Sequence, residues 1–199
     1  MSYYPRNHPS YVISMDTEHR GDGKNLFDVA FVCFKNGEII QQFQFIRKDI
    51  VQYYINITNS LDGGFWSYPK NLNQLLHLKQ LCDLEIKEEN INLVVSLTEK
   101  DYAWQIRRAI DYLHQQYPQA IWVSDTPGMD LSAINFVLMS NNNRPMHFNK
   151  TGEYRGFKFE TDKQIGSNPD RTHSSVNDAI WIGSTWIKKQ TFLSRPPGL

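Results

Sequence analysis

Asp16 and Glu18 stand two positions apart at the end of a short, mostly apolar run. In an extended chain, residues i and i+2 point to the same face, so the two carboxylates converge. Like charges held together in this way are most simply stabilised by a hard divalent cation that takes oxygen ligands. Taken alone, the pair also fits a solvated strand end that runs into the polar stretch 19–24. A further carboxylate, Asp130, leads an amphipathic segment beyond a later apolar run, where the dipole of a helix start would stabilise an ordinary acid. Asp125 competes with it for any role in metal binding. The third group is His173 and Asp178, which precede the apolar run Ala179, Ile180, Trp181, Ile182. At helical rise the two can face one cleft without distortion, although His173 alone is also an unremarkable helix-start residue.

These residues need strand ends and helix starts to hold them. The segments 11–16, 26–35 and 38–45 are β-prone, and Asn36-Gly37 between the last two favours a type I′ hairpin turn. From 46 to 97 the pattern weakens, and one helix over 72–84 is expected there. Thr98 to Asp101 resembles a capping box, after which Ala103, Ile106, Ala109, Ile110, Leu113 and Tyr117 recur at helical spacing until Pro118. A strand over 120–124 follows, then a helix marked by Leu131, Ile134, Val137 and Leu138, and a last helix over 174–189. Strands first, then helices alternating with a strand, indicate an α/β domain with a mixed β-sheet flanked by helices.

The 199-residue chain suffices for one sizeable core, so a single domain over 11–193 is expected between an N-terminal arm, 1–10, and a tail, 194–199. With 21 basic and 21 acidic residues, the net charge does not announce a nucleic-acid binder, so any such binding is local. Cys33 and Cys82 lack metal-site spacing and read as buried thiols of a reducing compartment. No secretory signal or membrane span is evident, which places the expected location in the cytoplasm.

The order of the groups carries more than any one of them. Ile13 to Glu18, Trp122 to Asp130, and His173 to Asp178 resemble, in sequence, the three motifs of the DEDDh group of DnaQ-like 3′-to-5′ exonucleases. Within that group the chain looks most like the branch of the mycobacterial Rv-type exoribonuclease domains and the phage relatives of exodeoxyribonuclease VIII, with Gly64-Phe65-Trp66 similar to that branch's aromatic pair. The resemblance implies a ribonuclease H-like fold, two Mg²⁺ or Mn²⁺ ions held by Asp16, Glu18, Asp130 and Asp178, and His173 as general base. Its implied partner is the 3′ end of single-stranded nucleic acid, RNA before DNA, gripped by the main chain near Thr17 and His19 and stacked on by Phe65 and Trp66. Arg20, Lys24, Lys163 and Arg171 flank the motifs and are candidates for phosphate contacts. Asp130 is preferred to Asp125 because the family acid directly precedes helix residues such as Leu131 to Ile134. Asp125 falls where relatives often carry Asn. Two other readings stand beside this one: a catalytically silent nucleic-acid-binding or protein-interaction domain of the same fold, and an enzyme that cuts internally.

Overall fold

The computed structural model describes residues 11–19, 25–58, 69–84, 91–147, 159–161 and 174–193. His173, Phe65, Trp66, Arg20, Lys24, Lys163 and Arg171 lie outside the described residues, as do the arm 1–10 and the tail 194–199. The elements run β1 (Tyr11–His19), β2 (Leu26–Lys35), β3 (Glu38–Arg47), α1 (Lys48–Thr58), α2 (Pro69–Leu84), β4 (Ile91–Ser96), α3 (Glu99–Gln116), β5 (Ile121–Ser124), α4 (Pro127–Ser140), β6 (Phe159–Thr161) and α5 (Ser175–Leu193). They build one mixed sheet of six strands in the order β4-β3-β2-β1-β5-β6.

Local chemistry accounts for the hairpin and for α3. Asn36 and Gly37 adopt φ of 52° and 91°, the positive pair that a type I′ turn requires, and β2 folds back on β3. Thr98 Oγ1 accepts the Asp101 N–H at 3.2 Å and caps α3. Two features escape the sequence patterns. α1 follows Arg47 directly with no turn residue between, and β4 pairs in parallel with the distant β3, so the described residues of 46–97 hold two helices and a strand where one helix was expected. α4 also begins earlier than the apolar periodicity suggests, at Pro127, which puts Asp130 inside its first turn.

The strand period of two divides the core. Ile13, Met15, Val29, Phe31 and Trp122 meet α3 and α4 on one face. Val12, Ala30, Val32, Phe34 and Val123 meet Val176, Ala179, Ile182 and Trp186 of α5 on the other. By register with Ala30 and Gln44, the α1–α2 pair covers Ile46, Leu93 and Val95 on the α5 side. Asp16 and Glu18 share the parity of Val12 and Ser14, so they face α5. Both cysteines are free and buried. Among the described residues no helix is long and apolar enough to cross a membrane.

α5 lies unusually close to the sheet. A Cβ built at Gly183 would overlap the Phe34 ring and stand 2.8 Å from Ser14 Oγ. The Ser14 hydroxyl in turn donates to the Ala179 carbonyl at 2.6 Å. Gly183→Ala should therefore lose about 1–3 kcal/mol of stability through overpacking, read by urea unfolding. Gly128, in the first turn of α4, has nothing within 4 Å of such a Cβ, so Gly128→Ala should be neutral or gain up to about 1 kcal/mol of helix propensity. Equal effects at the two glycines would contradict close docking.

Candidate functional site

β1, β3, β4 and β5 all end at one edge of the sheet, and α4 and α5 begin there. β1 delivers Asp16 and Glu18, the turn after β5 delivers Asp125, and the first turns of α4 and α5 deliver Asp130 and Asp178. Asp16, Glu18 and Asp178 each offer a carboxylate oxygen, all within 4.8 Å of one another, and Asp16, Asp125 and Asp130 do the same. Asp16 belongs to both triads. Asp125 and Asp130 are thus not rivals in space, since both stand beside Asp16.

Each acid is fixed by its own element. Asp130 is 1 % exposed; its Oδ1 accepts from Thr17 Oγ1 at 2.5 Å, and its Oδ2 accepts from Ser124 Oγ and, at 3.4 Å, from Thr126 Oγ1. The Thr17 and Ser124 hydroxyls aim the Asp130 carboxylate, whereas the single Thr126 hydroxyl proton is shared with Asp125 Oδ1, which is nearer at 3.2 Å. The Thr17 side chain, on the α4 side of β1, is committed to Asp130. Asp178 donates its own N–H to the Ser174 carbonyl at 3.1 Å, closing the first turn of α5. A register shift between Glu18 and His19 ends the regular ladder at the site.

Burial leads the electrostatics, and the neighbouring carboxylates add to it. Burial, then Glu18, Asp130, Asp178 and Asp125, pushes Asp16 well above the usual carboxylate range. Glu18 rises to about 8, chiefly through burial, with the Gln74 amide opposing and Asp28, Asp178 and Asp130 adding. Gln74 Nε2 approaches Glu18 without a hydrogen bond of normal geometry. Asp130 rises to about 6 through burial, against the hydrogen bonds from Ser124 and Thr17; Asp125 raises it and His19 lowers it. Asp16 and Glu18 keep part of their surface open to water while dense protein packs behind them. Among the described residues no lysine or arginine forms an ion pair with Asp16, Glu18 or Asp130. An all-oxygen, anionic donor set of this kind fits hard cations such as Mg²⁺ and Mn²⁺ and suits softer metals poorly.

Three residues near the site were not legible as part of it. Asp28, the register partner of Glu18, could have been flagged as the one acid inside the apolar strand LFDVAFVCFK. Ser124 carried no signal beyond its place at a strand end, and Gln74 none at all. In comparisons with known proteins, no family model matches the sequence. No curated protein matches it either.

Carboxylates whose folded pKa exceeds the unfolded value, about 4, contribute stability that is complete below that value and lost as pH rises through the folded one. For Asp130 and Glu18 the loss spans about pH 4 to 8. In chelator, the melting temperature should therefore fall as pH rises across this window. Saturating Mg²⁺ or Mn²⁺ should flatten the fall, and binding below about pH 8 should release protons, measured by calorimetry in buffers of different ionisation enthalpy. A melting curve equally pH-dependent with and without the cation would contradict a shared cation site.

Proposed function

We propose that this chain is a metal-dependent nuclease with a ribonuclease H-like fold of the DnaQ-like, DEDDh kind. It removes nucleotides one at a time from the 3′ end of single-stranded nucleic acid, RNA in preference to DNA. One observation carries this reading: two carboxylate triads share Asp16 at the edge where the parallel strands end. The order of the contributing residues along the chain, with His173 five positions before Asp178, agrees with the motifs that the sequence resembles.

Two Mg²⁺ or Mn²⁺ ions, when bound, lower the pKa of the attacking water and neutralise charge on the phosphate and the leaving oxygen. Asp16 would ligate both, Glu18 and Asp178 one, and Asp130 the other, with Asp125 available beside it. Thr17 and Ser124 hold Asp130 in one orientation while the substrate enters. Water adds to phosphorus at the last phosphodiester and its proton passes to His173, whose imidazole has an unperturbed pKa of about 6.5. The bond to the penultimate 3′ oxygen breaks, that oxygen takes a proton from solvent water and leaves as a hydroxyl, and a nucleoside 5′-monophosphate is released while His173 returns its proton to solvent. Phe65 and Trp66 supply aromatic faces for the terminal base, which would stack with little sequence preference.

The test is digestion of matched end-labelled RNA and DNA strands with Mg²⁺. A one-nucleotide ladder is expected, abolished by a blocked 3′ end and indifferent to a blocked 5′ end; internal fragments, or no products, would overturn the reading. Asp16→Asn, Glu18→Gln, Asp130→Asn and Asp178→Asn should each abolish cleavage with the fold intact. His173→Ala should lower turnover by about two to four orders of magnitude while Mn²⁺ affinity stays near wild type. Trp66→Ala should weaken binding of the strand end by about 1–3 kcal/mol, and normal binding would return that ring to the core.

A further inference from the structure

Asp28 is fully buried, belongs to neither triad, and lies on β2 directly across from Glu18. A buried carboxylate is costly unless its oxygens are filled, and here they are. Oδ1 and Oδ2 accept from Gln44 Nε2 at 3.1 and 3.2 Å, and Oδ2 also accepts the Ser175 backbone N–H at 3.1 Å. Gln44 Nε2 reaches Ser174 Oγ as well, at 3.4 Å. Gln44 is itself buried on β3, so the group joins two central strands to the residues that open α5.

Ser175 is the first residue of α5, and its N–H is one of the donors that a helix leaves without an internal acceptor. A side chain just before the helix usually caps the N–H of the second or third helical residue and leaves the first to another partner. Here that acceptor comes from a neighbouring strand, which ties the start of the helix to the sheet. Asp178 lies one turn on, and its N–H to the Ser174 carbonyl makes that turn a rigid unit. The Ser14 contact at Ala179 and the close approach at Gly183 lie beyond Asp178. Within the first turn Val176 packs on the sheet, and apolar contact alone sets no direction, so the Ser175–Asp28 bond is the directional contact that orients the turn.

We infer that Asp28, oriented by Gln44, is a positioning residue that pins the first turn of α5 so that Asp178 meets Asp16 and Glu18. The inference rests on the proposed reading of those three acids as one metal triad. Asp28 acts on the cation through Asp178, and the Asp16, Asp125, Asp130 triad is independent of it.

Mn²⁺ titration of the full chain, followed by the electron paramagnetic resonance of free Mn²⁺, tests this. Wild type should bind two ions. Asp28→Ala should weaken one of them about 10- to 100-fold, as loss of a residue that orients a ligand typically does, and spare the other. Asp28→Asn keeps an oxygen for the Ser175 N–H and should recover most of the loss. Should Asp28→Ala fail to fold, Ser175→Pro removes the same donor at a helix position where proline is tolerated. It should show the same selective weakening. Two ions bound with wild-type affinity in Asp28→Ala or Ser175→Pro, or Asp28→Asn as damaging as Asp28→Ala, would overturn the positioning role. Absence of Mn²⁺ binding in wild type would instead remove the triad reading on which the inference stands.

Discussion

The close seating of α5 on β1 and β2 is the constraint on which the site depends. Gly183 lets the helix backbone approach the Phe34 ring and the Ser14 hydroxyl, and this close seating helps bring Asp178 beside Asp16 and Glu18. A larger side chain at that point would lift the helix, and carboxylate oxygens within 4.8 Å of each other leave little room for such a shift. The seating is apolar along most of its length, through Val176, Ala179, Ile182 and Trp186, and polar at only a few points. Apolar burial supplies the attraction, whereas the polar contacts at Ser14 and Asp28 select one register from the several that a smooth apolar face would allow.

That selection works against electrostatics. Burial and mutual repulsion raise the pKa values of Asp16, Glu18 and Asp130 together, so their convergence without a cation destabilises the fold as they ionise. The surrounding structure offsets this with hydroxyl donors on Asp130 and with continuous cores on both faces of the sheet. Nothing in folding alone rewards the convergence of such groups at one end of an otherwise well-packed sheet, and the proposed function supplies a reason for it.

The parts of this arrangement that were legible in the sequence are those set by local chemistry. Asp16 and Glu18 share a face because strands have a period of two, the Asn36-Gly37 turn follows from positive φ, and Thr98 announces α3 through its side chain. What could not be read depends on partners far along the chain. β4 is a short apolar run whose identity comes from parallel pairing with β3, and α1 begins without a turn because Arg47 passes straight from strand to helix. Asp125 and Asp130 looked like alternatives since they compete for one motif position, yet a turn followed by a helix start brings both to Asp16. Asp28 was hidden for the same reason: its partners Gln44 and Ser175 are 16 and 147 residues away.

The claim on which the rest turns is that Asp16 is the ligand common to two cation sites. Counting bound Mn²⁺ in single-residue variants tests it most directly, with spin coupling between the ions as a second readout. The account predicts two coupled ions in wild type, one uncoupled ion in Asp178→Asn, one in Asp130→Asn, and none bound tightly in Asp16→Asn. An Asp16→Asn protein that still binds an ion with wild-type affinity, or wild type with two ions that show no coupling, would contradict it.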